Sequence, residues 1–213
     1  MAKNKDRNKK REDIITFKII TLGDSGVGKT SIINRYISGK FDNNIFSTIG
    51  INFSLKKLII NKSQNIQLKI IDTCGQEKYR SLSKSYFRQT DGVLYVFGLN
   101  DKSSFDSIKE WMKYFDEENT IGEIPKVLVG NKCDLKFDEG LDKNLIQEFS
   151  KENNIKYIET SAKGDLNINE LFEELGKMIY KKGLPLDKQD IKIIISSSKK
   201  KIKKKCEMCK NDL

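Results

Sequence analysis

The chain has 213 residues with 40 Lys and Arg, 30 Asp and Glu, and no histidine. This length is typical of one α/β domain with appendages, and no apolar run approaches the roughly 20 residues of a membrane-spanning helix. The charged N-terminus predicts no secretory signal, so we expect a cytosolic protein with four free cysteines.

The net charge of +10 lies at the two ends of the chain. Residues 1–13 hold six basic and three acidic residues, residues 181–213 hold eleven and four, and residues 14–180 are balanced. A basic groove on the folded body is therefore not expected, and nucleic acid is not a predicted partner. We predict a disordered basic extension over 1–13, a domain over 14–180 and a disordered lysine-rich tail over 181–213.

Strand and helix patterns alternate along the domain. Two neighbouring strand patterns, 51–60 and 66–71, are separated only by a turn and predict an antiparallel hairpin. The other connections contain helices, which predicts a mostly parallel sheet with helices on both faces. The remaining predicted strands are 17–22, 92–97, 127–130 and 155–160, and the predicted helices are 31–37, 105–115, 141–149 and 168–179.

A glycine-rich motif follows the first predicted strand. Gly23 to Thr30 reads G-x-x-x-x-G-K-[ST], between a strand and a helix as a phosphate-binding loop requires. Its backbone N–H groups and the helix N-terminus would face phosphate oxygens, Lys29 would reach the β- and γ-phosphates, and Thr30 would ligate Mg²⁺. The predicted phosphate-binding residues are Asp24, Ser25, Gly26, Val27, Gly28, Lys29, Thr30 and Ser31.

Three later segments add to this motif. Asp72 ends a predicted strand, where its carboxylate could hold Mg²⁺ through water, and Gly75 and Gln76 follow it. Asn131-Lys132-Cys133-Asp134 follows the predicted strand 127–130. A carboxylate there can accept hydrogen bonds from both N1–H and N2–H of guanine. Ser161-Ala162-Lys163 follows the last strand, where a backbone N–H can donate to guanine O6.

Together these motifs resemble the small GTPases of the Ras superfamily, and most of all the Rab family, over residues 15–180. The Rab likeness lies in Gly-Asp-Ser-Gly-Val-Gly-Lys, Thr-Ile-Gly-Ile-Asn-Phe, Gln-Glu-Lys-Tyr-Arg-Ser-Leu and Tyr-Phe-Arg. The resemblance implies the P-loop NTPase fold and catalysis by Gln76, Lys29 and Thr48. It implies that the N–H of Gly75 senses the γ-phosphate. It also implies that Mg²⁺ is held by Thr30, Thr48 and, through water, Asp72. The implied guanine-binding residues are Phe41, Asn131, Lys132, Asp134, Ser161, Ala162 and Lys163.

The resemblance also implies a biological role. A Rab-like protein hydrolyses GTP to GDP slowly, and in its GTP state recruits effectors that control membrane trafficking. Expected partners are effectors on the surface around 41–53 and 71–87, an exchange factor, a GTPase-activating protein and an escort protein similar to GDI. Ile71 and Cys74 stand where Rab proteins usually have Trp and Ala.

The lysine-rich tail carries Cys206 and Cys209 behind six lysines over 199–205. Charge alone gives salt-sensitive attachment to an anionic membrane, and stable anchoring needs a second signal. The resemblance implies prenylation of one or both cysteines, although the terminus is not a C-a-a-X box. The protein would then cycle between the cytosol and the cytosolic face of membranes, whereas a zinc half-site is the rival explanation of C-x-x-C.

Two other functions remain open at this stage. A soluble GTPase adaptor or RNA-associated GTPase would use its basic tails to bind polyanions, although the neutral body argues against it. A P-loop kinase is a further alternative, but the Asn131 to Asp134 motif has no role in phosphorylating a substrate.

Overall fold

A computed structural model of the chain describes residues 14–43, 48, 50–61, 64–73, 86–119 and 122–183. The chain divides into two units, residues 1–179 and 180–213, and of the second only residues 180–183 are described. The predicted basic extension over 1–13 and the tail from 184 onward therefore lie outside the described residues.

Six strands form one sheet in the order β2-β3-β1-β4-β5-β6. β2 pairs with β3 in antiparallel fashion, and all other neighbouring pairs are parallel. The strands are β1 (Ile15–Leu22), β2 (Asn52–Asn61), β3 (Gln64–Asp72), β4 (Gly92–Gly98), β5 (Lys126–Asn131) and β6 (Lys156–Glu159). The predicted hairpin and mostly parallel sheet are confirmed.

The helices lie between the strands in sequence, which is why the parallel crossovers are possible. Numbered in the order of the described elements, they are α1 (Lys29–Ser38), α2 (Lys102–Asp106), α3 (Ile108–Glu118), α4 (Lys143–Glu152) and α5 (Ile168–Lys182). Among the described residues, no helix is long and apolar enough to cross a membrane.

The two faces of the sheet bury different helices. Tyr95 and Phe97 of β4 belong to a buried cluster with residues of α2, α3 and α4. Side chains alternate along a strand, so position 92 lies on the opposite face of β4. A Cβ atom at Gly92 would come too close to Leu175 and Ile179 of α5. α1 joins α5 through the stacked rings of Tyr36 and Phe172, whose centroids are 3.9 Å apart. The predicted placement of helices on both faces is thus confirmed.

Two helix predictions need correction. The predicted helix 105–115 is divided at Ser107 into α2 and α3, and the Ser107 hydroxyl donates to the carbonyl of Ser103 at 3.0 Å. The predicted helix 141–149 begins at Lys143, because the Asp142 carboxylate accepts from the N–H of Leu145 at 2.7 Å and caps it. Leu145, one of the apolar residues of this helix, is exposed.

Candidate functional site

The loops that follow four strands meet at one edge of the sheet. β1 ends at Leu22, β3 at Asp72, β5 at Asn131 and β6 at Glu159. Since these strands run parallel within one sheet, their carboxyl ends lie along the same edge, which is where ligands bind in open α/β sheets. Motifs more than 100 residues apart in the chain are thereby brought together.

The phosphate-binding loop, residues 23–30, depends on its glycines for close approach. Gly23 and Gly28 have φ angles of 143° and 98°, which side chains rarely adopt. A Cβ atom on Gly23 would overlap the carbonyl oxygen of Val96, and one on Gly28 would overlap the amide nitrogen of Asn131. α1 begins directly after this loop, so its first N–H groups are available to an anion.

The Lys29 ammonium lies against the loop from which it comes. Its Nζ donates to the carbonyls of Gly23 at 2.8 Å and Asp24 at 2.7 Å, and the residue is only 5% exposed. A buried cation close to backbone donors gives the loop a positive potential. This arrangement can bind phosphate oxygens.

Thr30, Thr48 and Asp72 form one hydrogen-bonded group. Thr30 Oγ1 donates to Asp72 Oδ2 at 2.8 Å and lies 2.7 Å from Thr48 Oγ1. A hydroxyl has one proton to donate, and that of Thr30 is used by Asp72, so Thr48 donates to Thr30. The structure thus brings together the three predicted magnesium ligands from α1, the loop before β2 and the end of β3.

The chemistry of this group fits a hard cation. Asp72 Oδ1 is buried and has no hydrogen-bond partner among the described residues. Burial raises the pKa of the Asp72 carboxyl, while the Thr30 hydroxyl and the Lys29 charge act in the opposite direction. Carboxylate and hydroxyl oxygens are the ligands that Mg²⁺ prefers, together with water and phosphate oxygens. Within the described ranges there is no cluster of three or more His, Cys, Asp or Glu that could hold a metal alone.

Asn131 connects the phosphate-binding loop to the other side of the site. Its Nδ2 donates to the carbonyl of Val27 at 2.8 Å, and its Oδ1 accepts from Thr160 Oγ1 at 3.2 Å and from the N–H of Ala162 at 3.3 Å. The residue is buried. The prediction that Asn131 binds guanine stays a prediction, and these contacts show that its amide also connects the phosphate-binding loop with the loop after β6.

Asp134 and Ser161 lie beside this amide. Ser161 Oγ donates to Asp134 Oδ1 at 2.5 Å and accepts from the N–H of Gly164 at 2.7 Å. Lys132 has a φ of 65°, a conformation that costs about 1–2 kcal/mol in a residue other than glycine. The exposed Asp134 carboxylate is therefore fixed between two loops, where it can accept protons from a ligand.

A cavity of about 230 Å³ joins the two halves of the site. Its lining includes predicted phosphate-binding residues and predicted base-binding residues. They are Gly26, Gly28, Ser31, Phe41, Asn131, Lys132, Asp134, Leu135, Ala162 and Lys163. Sequence reasoning missed Leu135, and Gly75 and Gln76 lie outside the described residues.

Comparison with known proteins agrees with this geometry. A model of the Ras family matches residues 18–181. The chain belongs to the Ras family. Ras-related protein Rab-13 of Bos taurus is 37% identical over 166 residues, covering 78% of this chain and 81% of the relative. Ras-related protein Rab-10 of Diplobatis ommata is 33% identical over 201 residues, covering 93% and 98%.

Ras-related protein Rab-8B of Dictyostelium discoideum is a third relative, 36% identical over 165 residues that cover 78% of this chain and 80% of the relative. The predicted resemblance to Ras-superfamily GTPases of the Rab type and the predicted P-loop fold are thus confirmed. Ras-family members are GTPases that bind GTP, GDP and Mg²⁺.

Two contacts of this Ras-family site were not predicted from the sequence. Trp111 is buried, and its Nε1 donates to Asp24 Oδ1 in the phosphate-binding loop at 2.8 Å. Thr160 is completely buried and holds Asn131, as described above. Thr160 directly precedes Ser161-Ala162-Lys163, whereas Trp111 lies far from every nucleotide motif in the sequence and carries no signal of this contact.

The magnesium assignment can be tested with Asp72→Asn. Loss of the carboxylate charge should weaken Mg²⁺ binding to the GDP complex by at least about tenfold, or ~1.4 kcal/mol. The measurement is release of a fluorescent GDP analogue across a Mg²⁺ titration.

Asp91→Asn is the matched control. Asp91 is also buried and accepts from the backbone N–H of Lys18 at 2.7 Å, but it precedes β4 at the other end of that strand. Its substitution should leave the Mg²⁺ midpoint unchanged. An Asp72→Asn titration that overlays the wild type would show that Asp72 holds no metal.

Proposed function

We propose that this chain is a Rab-type switch that binds GTP and GDP with Mg²⁺, hydrolyses GTP slowly and controls membrane trafficking through effectors of its GTP state. One observation carries the proposal: a single cavity is lined both by Gly26 and Gly28 of the phosphate-binding loop and by Asp134 and Lys163. A nucleotide has the same two chemical ends. Family membership supports the same conclusion.

At the base end, the Asp134 carboxylate would accept the N1 and N2 protons of guanine. Adenine has no such pair of donors. It would leave the carboxylate without hydrogen-bond partners, which lowers the binding free energy of an adenine nucleotide. One backbone N–H of residues 161–163 would donate to O6, and Phe41 would cover the edge of the base. Asn131 would act through the loops that it holds.

At the phosphate end, Lys29 would exchange a loop carbonyl for phosphate oxygens, and Thr30, Thr48 and Asp72 would hold Mg²⁺. When bound, Mg²⁺ neutralises charge on the β- and γ-phosphates. Gly75 would sense the γ-phosphate and Gln76 would orient the attacking water.

Hydrolysis without a partner should be slow. Arg35, the arginine of α1, donates to three backbone carbonyls and is not free to stabilise the transition state. We propose that an activating protein supplies a positive charge to the transition state, as the arginine finger does in Ras-type enzymes.

The GTP state would be recognised through the surface around 41–53 and 71–87. Phe53 and Leu55 on the edge strand β2 are 63% and 51% exposed, and large exposed apolar side chains on an edge are typical of binding surfaces. Ile71, by contrast, is buried and contributes no apolar surface there. Effectors, an exchange factor and an activating protein would share this region.

The tail would attach the protein to the cytosolic face of membranes. Each lysine near an anionic surface contributes about 1 kcal/mol, which salt screens, whereas prenyl groups on Cys206, Cys209 or both would resist salt. An escort protein similar to GDI would then keep the lipidated protein in the cytosol.

The nucleobase assignment predicts strong discrimination. GDP should bind at least about 10³-fold more tightly than ADP, measured by competition with fluorescent GDP. Asp134→Asn should weaken GDP binding and improve binding of xanthosine diphosphate, because its amide can donate to the C2 carbonyl of xanthine.

Glu139→Gln is the control, because it removes a negative charge from the same region at an exposed residue paired with Lys136. It should change neither the affinity for GDP nor the affinity for xanthosine diphosphate. Equal binding of ADP and GDP by the wild type would refute the proposed function.

The role of Gln76 is tested by Gln76→Leu. The variant should bind GTP as the wild type does but lose nearly all stimulation by a cell extract that contains an activating protein, which is roughly 10³ to 10⁵-fold in Ras-type enzymes. Phosphate release in a single turnover is the measurement. Gln147→Leu, at an exposed position on α4, is the control, and full stimulation of Gln76→Leu would contradict the assignment.

The lipid anchor is tested on protein made in eukaryotic cells. The mass of the C-terminal peptide should include isoprenoid on Cys206, Cys209 or both, and the protein should remain on membranes after a high-salt wash. Replacing both cysteines with Ser should make binding salt-sensitive, whereas Cys133→Ser, at a half-buried free thiol, should not. Unmodified thiols in the wild type would remove the lipid anchor from the proposal.

A further inference from the structure

One side chain outside the cavity connects two loops that line it. Arg35 lies near the end of α1 and is half-buried. Its Nε donates to the carbonyl of Ala162 at 2.8 Å, and its Nη2 donates to that of Lys163 at 3.0 Å. Its Nη1 donates to the carbonyl of Gly39 at 2.7 Å. All three nitrogens of the guanidinium group are therefore used.

The same guanidinium group also contacts an aromatic ring of the cavity. Its Cζ lies 5.9 Å from the ring centroid of Phe41, within the range of a cation–π interaction. Phe41, Ala162 and Lys163 line the cavity, whereas Arg35 does not. The loop after α1 and the loop after β6 thus share Arg35 as a common partner.

We propose that Arg35 is a positioning residue that ties residues 39–41 to residues 162–163 and so keeps the base end of the cavity closed around a guanine nucleotide. The inference rests on the proposed function. A planar guanidinium group has donors in a fixed fork and can satisfy carbonyls from two directions at once. A lysine ammonium at this position keeps the positive charge but lacks the planar set of N–H donors.

A consequence for nucleotide exchange follows from the shared contacts. If residues 39–41 move away from α1, Arg35 loses its hydrogen bond to the Gly39 carbonyl and its contact with the Phe41 ring. The guanidinium group then loses the partners that fix its orientation towards Ala162 and Lys163. A partner that displaces the first loop therefore also loosens the second, although it need not touch it.

The test is the rate of GDP release from Arg35→Ala and Arg35→Lys, measured with a fluorescent GDP analogue at saturating Mg²⁺ and again with the metal chelated. Arg35→Ala should release GDP at least about tenfold faster under both conditions, because the base end and not the metal is affected. Arg35→Lys should remain severalfold faster than the wild type. Single-turnover hydrolysis of GTP already bound should keep its rate, since the phosphate end is intact.

Control variants separate this role from loss of charge or of helix stability. Lys57→Ala removes an exposed positive charge from β2, outside both loops, and Asn34→Ala changes the exposed neighbour of Arg35 on α1. Both should release GDP at the wild-type rate. If Arg35→Ala does not fold, Arg35→Lys decides the question, because it retains the charge and most of the aliphatic chain.

The link between the two loops is tested by a double-mutant cycle with Phe41→Ala. If Arg35 acts through Phe41, the double variant should release GDP no faster than the faster single variant, whereas multiplicative effects would overturn the link. Wild-type release from Arg35→Lys, or parallel losses of hydrolysis rate and nucleotide retention, would overturn the positioning role. Failure of the wild type to bind GDP would instead refute the proposed function.

Discussion

The side chain of Asn131 is the contact on which the site depends. It emerges from the end of β5 and binds the phosphate-binding loop through Val27 and the loop after β6 through Thr160 and Ala162. A buried amide left without these partners would cost about 1–3 kcal/mol for each unsatisfied group. The relative position of three loops is thereby set by one planar group, before any ligand is present.

This contact explains requirements elsewhere in the chain. Gly28 has to lack a side chain because Asn131 Nδ2 occupies the space that a Cβ atom would take. Thr160 has to supply a hydroxyl at a completely buried position, since Asn131 Oδ1 accepts from it. The family motifs are therefore not independent binding elements. They are constrained by one another through Asn131.

The sequence predicted the sheet, its one antiparallel pair and the residues that gather at its carboxyl edge. These features depend on local periodicity and on motif spacing, both of which can be read along the chain. The start of α4 at Lys143 could not be predicted in this way, because it depends on a single contact between the Asp142 carboxylate and the backbone N–H of Leu145.

Contacts between distant segments of the chain could not be predicted from the sequence either. The indole of Trp111 fitted the apolar pattern of α3, and its position in the core is correct, but its N–H binds Asp24, 87 residues away in the chain. Arg35 follows the phosphate-binding loop on a helix that is otherwise explained by packing. A hydrogen bond between a side chain and a loop far away in the chain has no counterpart in the periodicity of the sequence.

The two ends of the cavity are held by different kinds of contact, and this difference bears on how a ligand would leave. At the phosphate end, Lys29 and Asp72 are nearly inaccessible and are held by the loop itself and by β3. At the base end, Arg35 contributes contacts to Gly39 and Lys163 that are open to solvent, and Asp134 is exposed. Exposed hydrogen bonds open at lower free energy than buried ones. The contacts of Arg35 with the loops after α1 and β6 should therefore open more readily than those of Lys29 and Asp72.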